Sequence, residues 1–168
     1  VDSGVDYRLR TLEQAEIFHY PLDEQADENL KHYFKQLSTD EGKADQSIEI
    51  HNRPLETVLV SDGVVYFDFS VLCESARSQG DYMEISQLYH TVLMANVKEM
   101  GPDSDDTTRR FIALVDEFYE RNVKLIMSAE LPLEDLYSGG RLAFEFKRCL
   151  SRLQEMQSHD YLASEHIP

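Results

Sequence analysis

The sequence predicts an α/β fold made of parallel βαβ units with a small antiparallel β-meander beside them. Three observations point there. Short β-branched apolar runs alternate with amphipathic helical stretches through the second half of the chain. A tight Ser61-Asp62-Gly63 turn separates two β-rich runs near the middle. At 168 residues and 42% hydrophobic side chains, the chain is long and apolar enough to bury one core and is not disordered.

Taken in order, Val5 to Arg10 alternate apolar and polar, as a half-buried strand does. Leu30, Tyr33, Phe34 and Leu37 have helical spacing, and Pro21 marks the turn before that helix. Residues 38–46 are polar and loop-like. Ser47–Ile50, Thr57–Val60 and Val64–Phe69 then read as three strands of the meander. Beyond them, 81–89 predicts a helix, His90–Asn96 a buried strand, Thr107–Arg121 a helix and Val123–Ser128 a second buried strand. Leu133–Tyr137 predicts a short helix with Pro132 in its first turn and Gly139 at its end, and Arg141–Ser158 the last long helix. The expected organisation is one domain over 1–168, with a variable loop and meander at 38–69 and an α/β part at 81–158. The chain begins Val1-Asp2 rather than with Met, which reads as a piece of something longer.

Charge narrows the function. Thirty-two Asp and Glu against 16 Lys and Arg leave a net charge of −16, which repels phosphate backbones and argues against nucleic acid as a partner. A local basic patch remains compatible with a single nucleotide. Cys73 and Cys149 form no CxxC pair, the expectation for a reducing compartment. The six histidines have no zinc spacing, so no metal site is expected. No apolar run approaches the ~18 residues of a membrane span.

Among motifs, Phe111-Ile-Ala-Leu-Val-Asp116-Glu117 resembles a strand ending in a magnesium-binding acid pair. Helical periodicity fits it better: Phe111, Ile112, Leu114, Val115, Phe118 and Tyr119 make one face, with Asp116, Glu117 and Glu120 opposite. Asp105–Arg109, Asp106–Arg110 and Glu117–Arg121 are spaced as i,i+4 ion pairs. A phosphate loop requires GxxxxGK[ST], and Gly42-Lys43 and Gly139-Gly140-Arg141 both depart from it. No serine lies in a GxSxG elbow, and His90 beside Thr91 reads as hydrogen-bonded structure rather than a base. On the last helix Leu142, Phe146, Leu150 and Leu153 form the apolar face. Glu145, Arg148, Arg152 and Glu155 form a charged stripe opposite, either a self-paired solvated row or arginines reaching toward phosphates.

The blocks SGVDYRLR (3–10), YHTVL (89–93), RRFIALVDEFYERNVKLIMSAE (109–130) and SRLQEMQS (151–158) followed by YL (161–162) resemble the ZapE family of bacterial cell-division ATPases. These are AAA-like P-loop proteins related to mitochondrial lactation-elevated ATPases. The resemblance spans nearly the whole chain except about 38–56. It implies the C-terminal part of a P-loop NTPase-like domain whose phosphate loop and magnesium-binding acids lie upstream. It further implies a parent that uses ATP and Mg²⁺, with neither expected on this chain alone. The implied partner is FtsZ at the division septum, in a cytoplasmic protein peripheral to it, and a homo-oligomer is compatible. Arg148 and Arg152 match an Arg-x-x-x-Arg pattern of the family's last helix and become sensor or arginine-finger candidates. Arg109 and Arg110 are second candidates for nucleotide phosphates. The alternative is an interaction module that docks division proteins without touching nucleotide.

Overall fold

The computed structural model describes the backbone from Ser3 to Pro168 and side chains from Tyr7 onward. The elements are α1 (Ser3–Gln14), β1 (Phe18–His19), α2 (Glu24–Leu37), β2 (Lys43–Ala44), β3 (Ser47–Ile50), β4 (Arg53–Glu56), β5 (Leu59–Ser61) and β6 (Val64–Asp68). Then follow α3 (Phe69–Cys73), α4 (Gln79–Leu88), β7 (Thr91–Val97), α5 (Asp105–Glu120), β8 (Lys124–Ala129), a 3₁₀ turn at Leu133–Asp135, α6 (Ala143–Glu155) and α7 (His159–Ala163). Six strands form one sheet in the order β1-β8-β7-β6-β5-β2. β1, β8, β7 and β6 run parallel, and β5 and β2 extend the sheet antiparallel. β3 and β4 pair separately as a two-stranded hairpin.

The parallel strands are apolar throughout because both faces are covered. Val65, Phe67, Val92, Met94, Leu125 and Met127 point to one core, shared with α3, α4, α5 and α6. The alternate residues Val64, Tyr66, Leu93, Ala95 and Ile126 point to a second core, shared with α1, α2 and α7. That period-2 division makes a three-layer α/β/α arrangement, and the βαβ expectation holds through β6, β7 and β8.

Two element expectations are corrected. Residues 5–10 are not a strand but the middle of α1; the alternation of Tyr7 and Leu9 gives way to an i,i+3 face in which Leu12 is buried and Leu9 half-buried against α2 and α7. The meander is divided between two sheets. β5 and β6 do form the expected antiparallel pair across Ser61–Val64. β3, however, turns at His51 and Asn52, both in the left-handed region (φ 49° and 62°), and pairs with β4, a strand whose Pro54 disguised it. Pro54 sits opposite Glu49 in this two-stranded ribbon, where both strands are edges. A further small difference is α7, a separate five-residue helix capped by Ser158, whose Oγ accepts the Tyr161 N–H at 3.2 Å. Among the described residues no helix is long and apolar enough to cross a membrane.

Candidate functional site

The stretch 111–117, which resembles a strand ending in a magnesium-binding acid pair, lies inside α5, with Phe111, Leu114, Val115 and Phe118 buried, as the helical periodicity predicts. Its expected i,i+4 ion pairs do not close among the described residues. Asp105 instead takes Arg141 at 2.6 Å, Glu117 accepts from Gln79 Nε2 at 2.6 Å, and Arg121 donates to the carbonyls of Ile167 and Pro168 at 3.4 and 3.2 Å. Partners supplied by neighbouring segments take over from partners one turn away, because each such pair gains only a few tenths of a kcal/mol, about 0.2–0.5, on an isolated helix.

The four candidate arginines are treated differently by the fold. Arg152 is not in a self-paired stripe: its guanidinium donates to Asp116 Oδ1 across the α5–α6 seam at 2.6 Å. It also lies over the Tyr119 ring, 4.9 Å from the centroid. Tyr119 Oη in turn donates to Glu155 at 2.6 Å, and that bond to the carboxylate raises the phenol pKa. Arg148, one turn before Arg152, is exposed and makes no ion pair among the described residues. Arg109 is exposed on α5 and lines a shallow hollow of about 180 Å³ with Gln79, Asp116, Leu142 and Glu145. Arg110 points elsewhere, donating to the Cys73 carbonyl at 3.4 Å. Arg109, Arg148 and Arg152 therefore share the outer α5–α6 face, and Arg110 does not.

A second polar group occupies the carboxyl ends of the parallel strands, where ligand crevices of open α/β sheets fall. β6 is four buried apolar residues followed by Asp68, the apolar-run-then-acid pattern that 111–117 also shows in sequence. Asp68 Oδ2 accepts from the backbone N–H and Oγ of Ser70 at 3.0 and 2.5 Å, capping α3. Its Oδ1 accepts from Asn96 Nδ2 at 2.6 Å. Burial would raise the Asp68 pKa, but the Ser70 and Asn96 bonds outweigh it and hold it below the usual carboxylate value. Asn96 is in the left-handed region (φ 65°) at a register shift in β7, and its N–H donates to Ser128 Oγ at 3.1 Å. The signal for Asp68 was present in the sequence as an apolar run ending in an acid. Nothing in the sequence places Asn96 beside it. Both carboxylate oxygens are occupied, so the couple acts as a clasp between two strand ends.

Neither place has a phosphate cradle. Lys43 of the Gly42-Lys43 pair is exposed on the short edge strand β2. Among the described residues no cluster of three or more His, Cys, Asp or Glu is placed to hold a metal ion. His90 is hydrogen-bonded structure as expected, with Nδ1 2.8 Å from Thr91 Oγ1.

The mostly parallel sheet with helices on both faces makes this an α/β unit. The chain matches the AFG1-like ATPase family over residues 1–165 and belongs to that family. It is 49% identical over 167 residues to the cell division protein ZapE of Escherichia coli K12, covering 99% of this chain and 44% of that protein. It is 26% identical over 199 residues to lactation elevated protein 1 homolog B of Danio rerio, covering 98% of this chain and 40% of that one. An uncharacterized protein of Schizosaccharomyces pombe is likewise 26% identical, over 194 residues, with 98% and 43% covered. This chain thus spans less than half the length of the curated relatives it matches. No solved structure matches it.

Proposed function

We propose that this chain is the C-terminal α/β unit of an ATP-hydrolysing cell-division protein, and that its outer α5–α6 face meets the nucleotide held by upstream sequence or by a neighbouring copy. The observation that carries this reading is charge. In a chain of net charge −16, Arg109 and Arg148 keep exposed guanidinia on the same face as Arg152. Permanent charge and a forked donor set suit arginine to a γ-phosphate. Arg148 is the first candidate, Arg109 the second, and Arg152 the residue whose pairing with Asp116 holds the face together. Arg110 drops to last because it faces α3. ATP and Mg²⁺ belong to the upstream part in this reading, and the site of action is the cytoplasmic side of the septum, on FtsZ.

The test is steady-state ATP hydrolysis by the full-length protein carrying Arg148→Ala or Arg109→Ala. A phosphate-stabilising arginine is worth ~10³-fold or more in turnover, against an unchanged melting temperature. Wild-type turnover in both variants would make this an ordinary solvated face. A second reading, a docking module, is favoured by one observation: Phe144 at the start of α6 is 73% exposed, one turn before Arg148. Binding of FtsZ by this chain without nucleotide, abolished by Phe144→Ser, is the result that would favour it.

A further inference from the structure

At the opposite end of the sheet from Asp68, a cavity of about 390 Å³ opens between α1, the first residues of β7 and β8, and the segment after α7. Its wall is cationic. Arg8 donates a guanidinium N–H to His90 Nε2 at 3.0 Å, which leaves His90 Nδ1 protonated and donating to Thr91 Oγ1. The His166 ring stands edge-on to His90 at 6.4 Å between centroids, and its Nε2 donates to the Ser86 carbonyl at 2.6 Å. Its Nδ1 is not part of that bond. Lys124 is only 6% exposed; its Nζ donates to Asn122 O, Ser164 O and Ser164 Oγ at 2.6, 2.8 and 3.2 Å and lies 4.9 Å from the Tyr161 ring centroid. All three lysine donors are satisfied, but by neutral oxygens, so the hydrogen bonding is complete and the charge is not.

The electrostatics of the cavity record that imbalance. Burial first, then Arg8, pushes Lys124 down to about 8. Burial, Arg8, His166 and Lys124 together push His90 down to about 4. Among the described residues the charges that shift these two groups are positive. The one carboxylate in the lining, Glu165, is exposed and contributes its backbone carbonyl to Asn122 instead. Beside the cations, Leu9, Leu12 and Leu162 supply an apolar floor. A chain this acidic has concentrated four basic side chains around one hollow of ligand size, with no buried counter-charge among the described residues.

We propose that this cavity binds a small organic oxyanion, a carboxylate or phosphate monoester carried on an apolar body. Arg8 and Lys124 supply the field, the guanidinium N–H groups of Arg8 not used on His90 supply the donors, His166 Nδ1 becomes a further donor when it takes up a proton with the anion, and the leucines take the apolar group. The site is distinct from the α5–α6 face, opening on the side of the sheet that α1 covers.

The experiment follows the histidine ring resonances of the 168-residue chain by NMR during titration with phenyl phosphate, benzoate, inorganic phosphate and neutral benzyl alcohol. Saturable shifts at His90 and His166 are expected with phenyl phosphate or benzoate, and whichever binds more tightly identifies the headgroup. Inorganic phosphate should bind more weakly and benzyl alcohol not at all. The His90 titration midpoint should move up from about 4, and the melting temperature should rise by about 5–10 °C at ~100 times Kd. Arg8→Gln should weaken binding by about tenfold or more; Arg8 is half-exposed, so the variant should fold. Should it melt early, His166→Ala carries the same expectation. The proposal is overturned by any of three results: no saturable shift with any anion at ~10 mM, which is ~100 times a Kd of ~0.1 mM; equal binding of benzyl alcohol; or unchanged affinity in both variants.

Discussion

Arg152 is held from two sides, by the Asp116 carboxylate and by the Tyr119 ring, and that makes it a poor probe of catalysis by alanine substitution. Neither partner side chain of the ion pair is more than about a third exposed. Arg152→Ala should therefore cost about 1–2 kcal/mol, from the ion pair and the cation–π contact together. Arg148→Ala should stay within about 0.5 kcal/mol. Urea denaturation of the two variants checks the contrast; equal stabilities would mean that the Asp116 pair contributes nothing. Tyr161 offers a cleaner single-atom case. Its buried hydroxyl donates toward the carbonyls of Val123 and Phe118, at 2.7 and 3.1 Å, where α5 hands over to β8. Tyr161→Phe should lose about 1–3 kcal/mol, because carbonyls that are buried there lose their donor. An unchanged denaturation midpoint would show that water replaces the hydroxyl.

At the scale of elements, the β3–β4 hairpin is fastened to α4 through Asp81 and Glu84, the latter accepting the His51 N–H at 3.2 Å. Asp81, 2% exposed, accepts the Ser78 N–H at 3.0 Å as part of a capping box. It also takes Arg53 at 3.1 Å and His51 at 3.3 Å from the hairpin. Asp81→Ala removes a cap and leaves the half-exposed Arg53 only the Ala76 carbonyl, so a loss of about 1–2 kcal/mol is expected. Amide exchange should quicken in 47–56 more than in β6–β8. Uniform acceleration across the sheet would mean that the hairpin and core unfold together. α1 shows the complementary lesson. Its Leu12 is 4% exposed against α2 and α7, so Leu12→Ala should cost about 2–5 kcal/mol; a solvent-facing strand residue would cost far less.

For the whole molecule, a continuous parallel sheet with a core packed on each face leads us to expect a cooperative thermal transition from the 168-residue chain alone. A broad melt with poorly dispersed amide resonances would count against it. Its pH dependence has opposing parts. His19, where burial is outweighed by Asp23 and Glu16, and His159, beside Glu13, both have raised pKa values. Their stabilisation is fully present below the unfolded value near 6.5 and fades as pH rises through the folded one. His90, about 4 when folded, acts the other way: the unfolded chain takes up its proton first, so stability is lost as pH falls from about 6.5 toward 4. Relief of a −16 charge adds to the first side. We expect a higher melting temperature at pH 5 than at pH 7.5, and a larger difference in His90→Gln, which lacks the opposing group. A smaller difference in that variant would reverse the sign assigned to His90.

By itself the sequence determined the layers. Buried strands between amphipathic helices imply a parallel sheet covered on both faces, and β7, α5, β8 and α6 lie within a few residues of where periodicity puts them, since each of those patterns is local. The blocks shared with relatives determined the family. Only the tertiary structure decided pairing. Whether Val5–Arg10 lies in a strand or in α1, and whether Ser47–Ile50 joins the main sheet or a hairpin, depends on which surface each run meets, and a six-residue run satisfies either period. The same holds for charge: Arg152 could be read as solvated from its own helix, because Asp116 stands 36 residues away. Arg8 and His90 are 82 residues apart, and they meet only because a helix from the first end of the chain closes over the amino ends of strands from the middle.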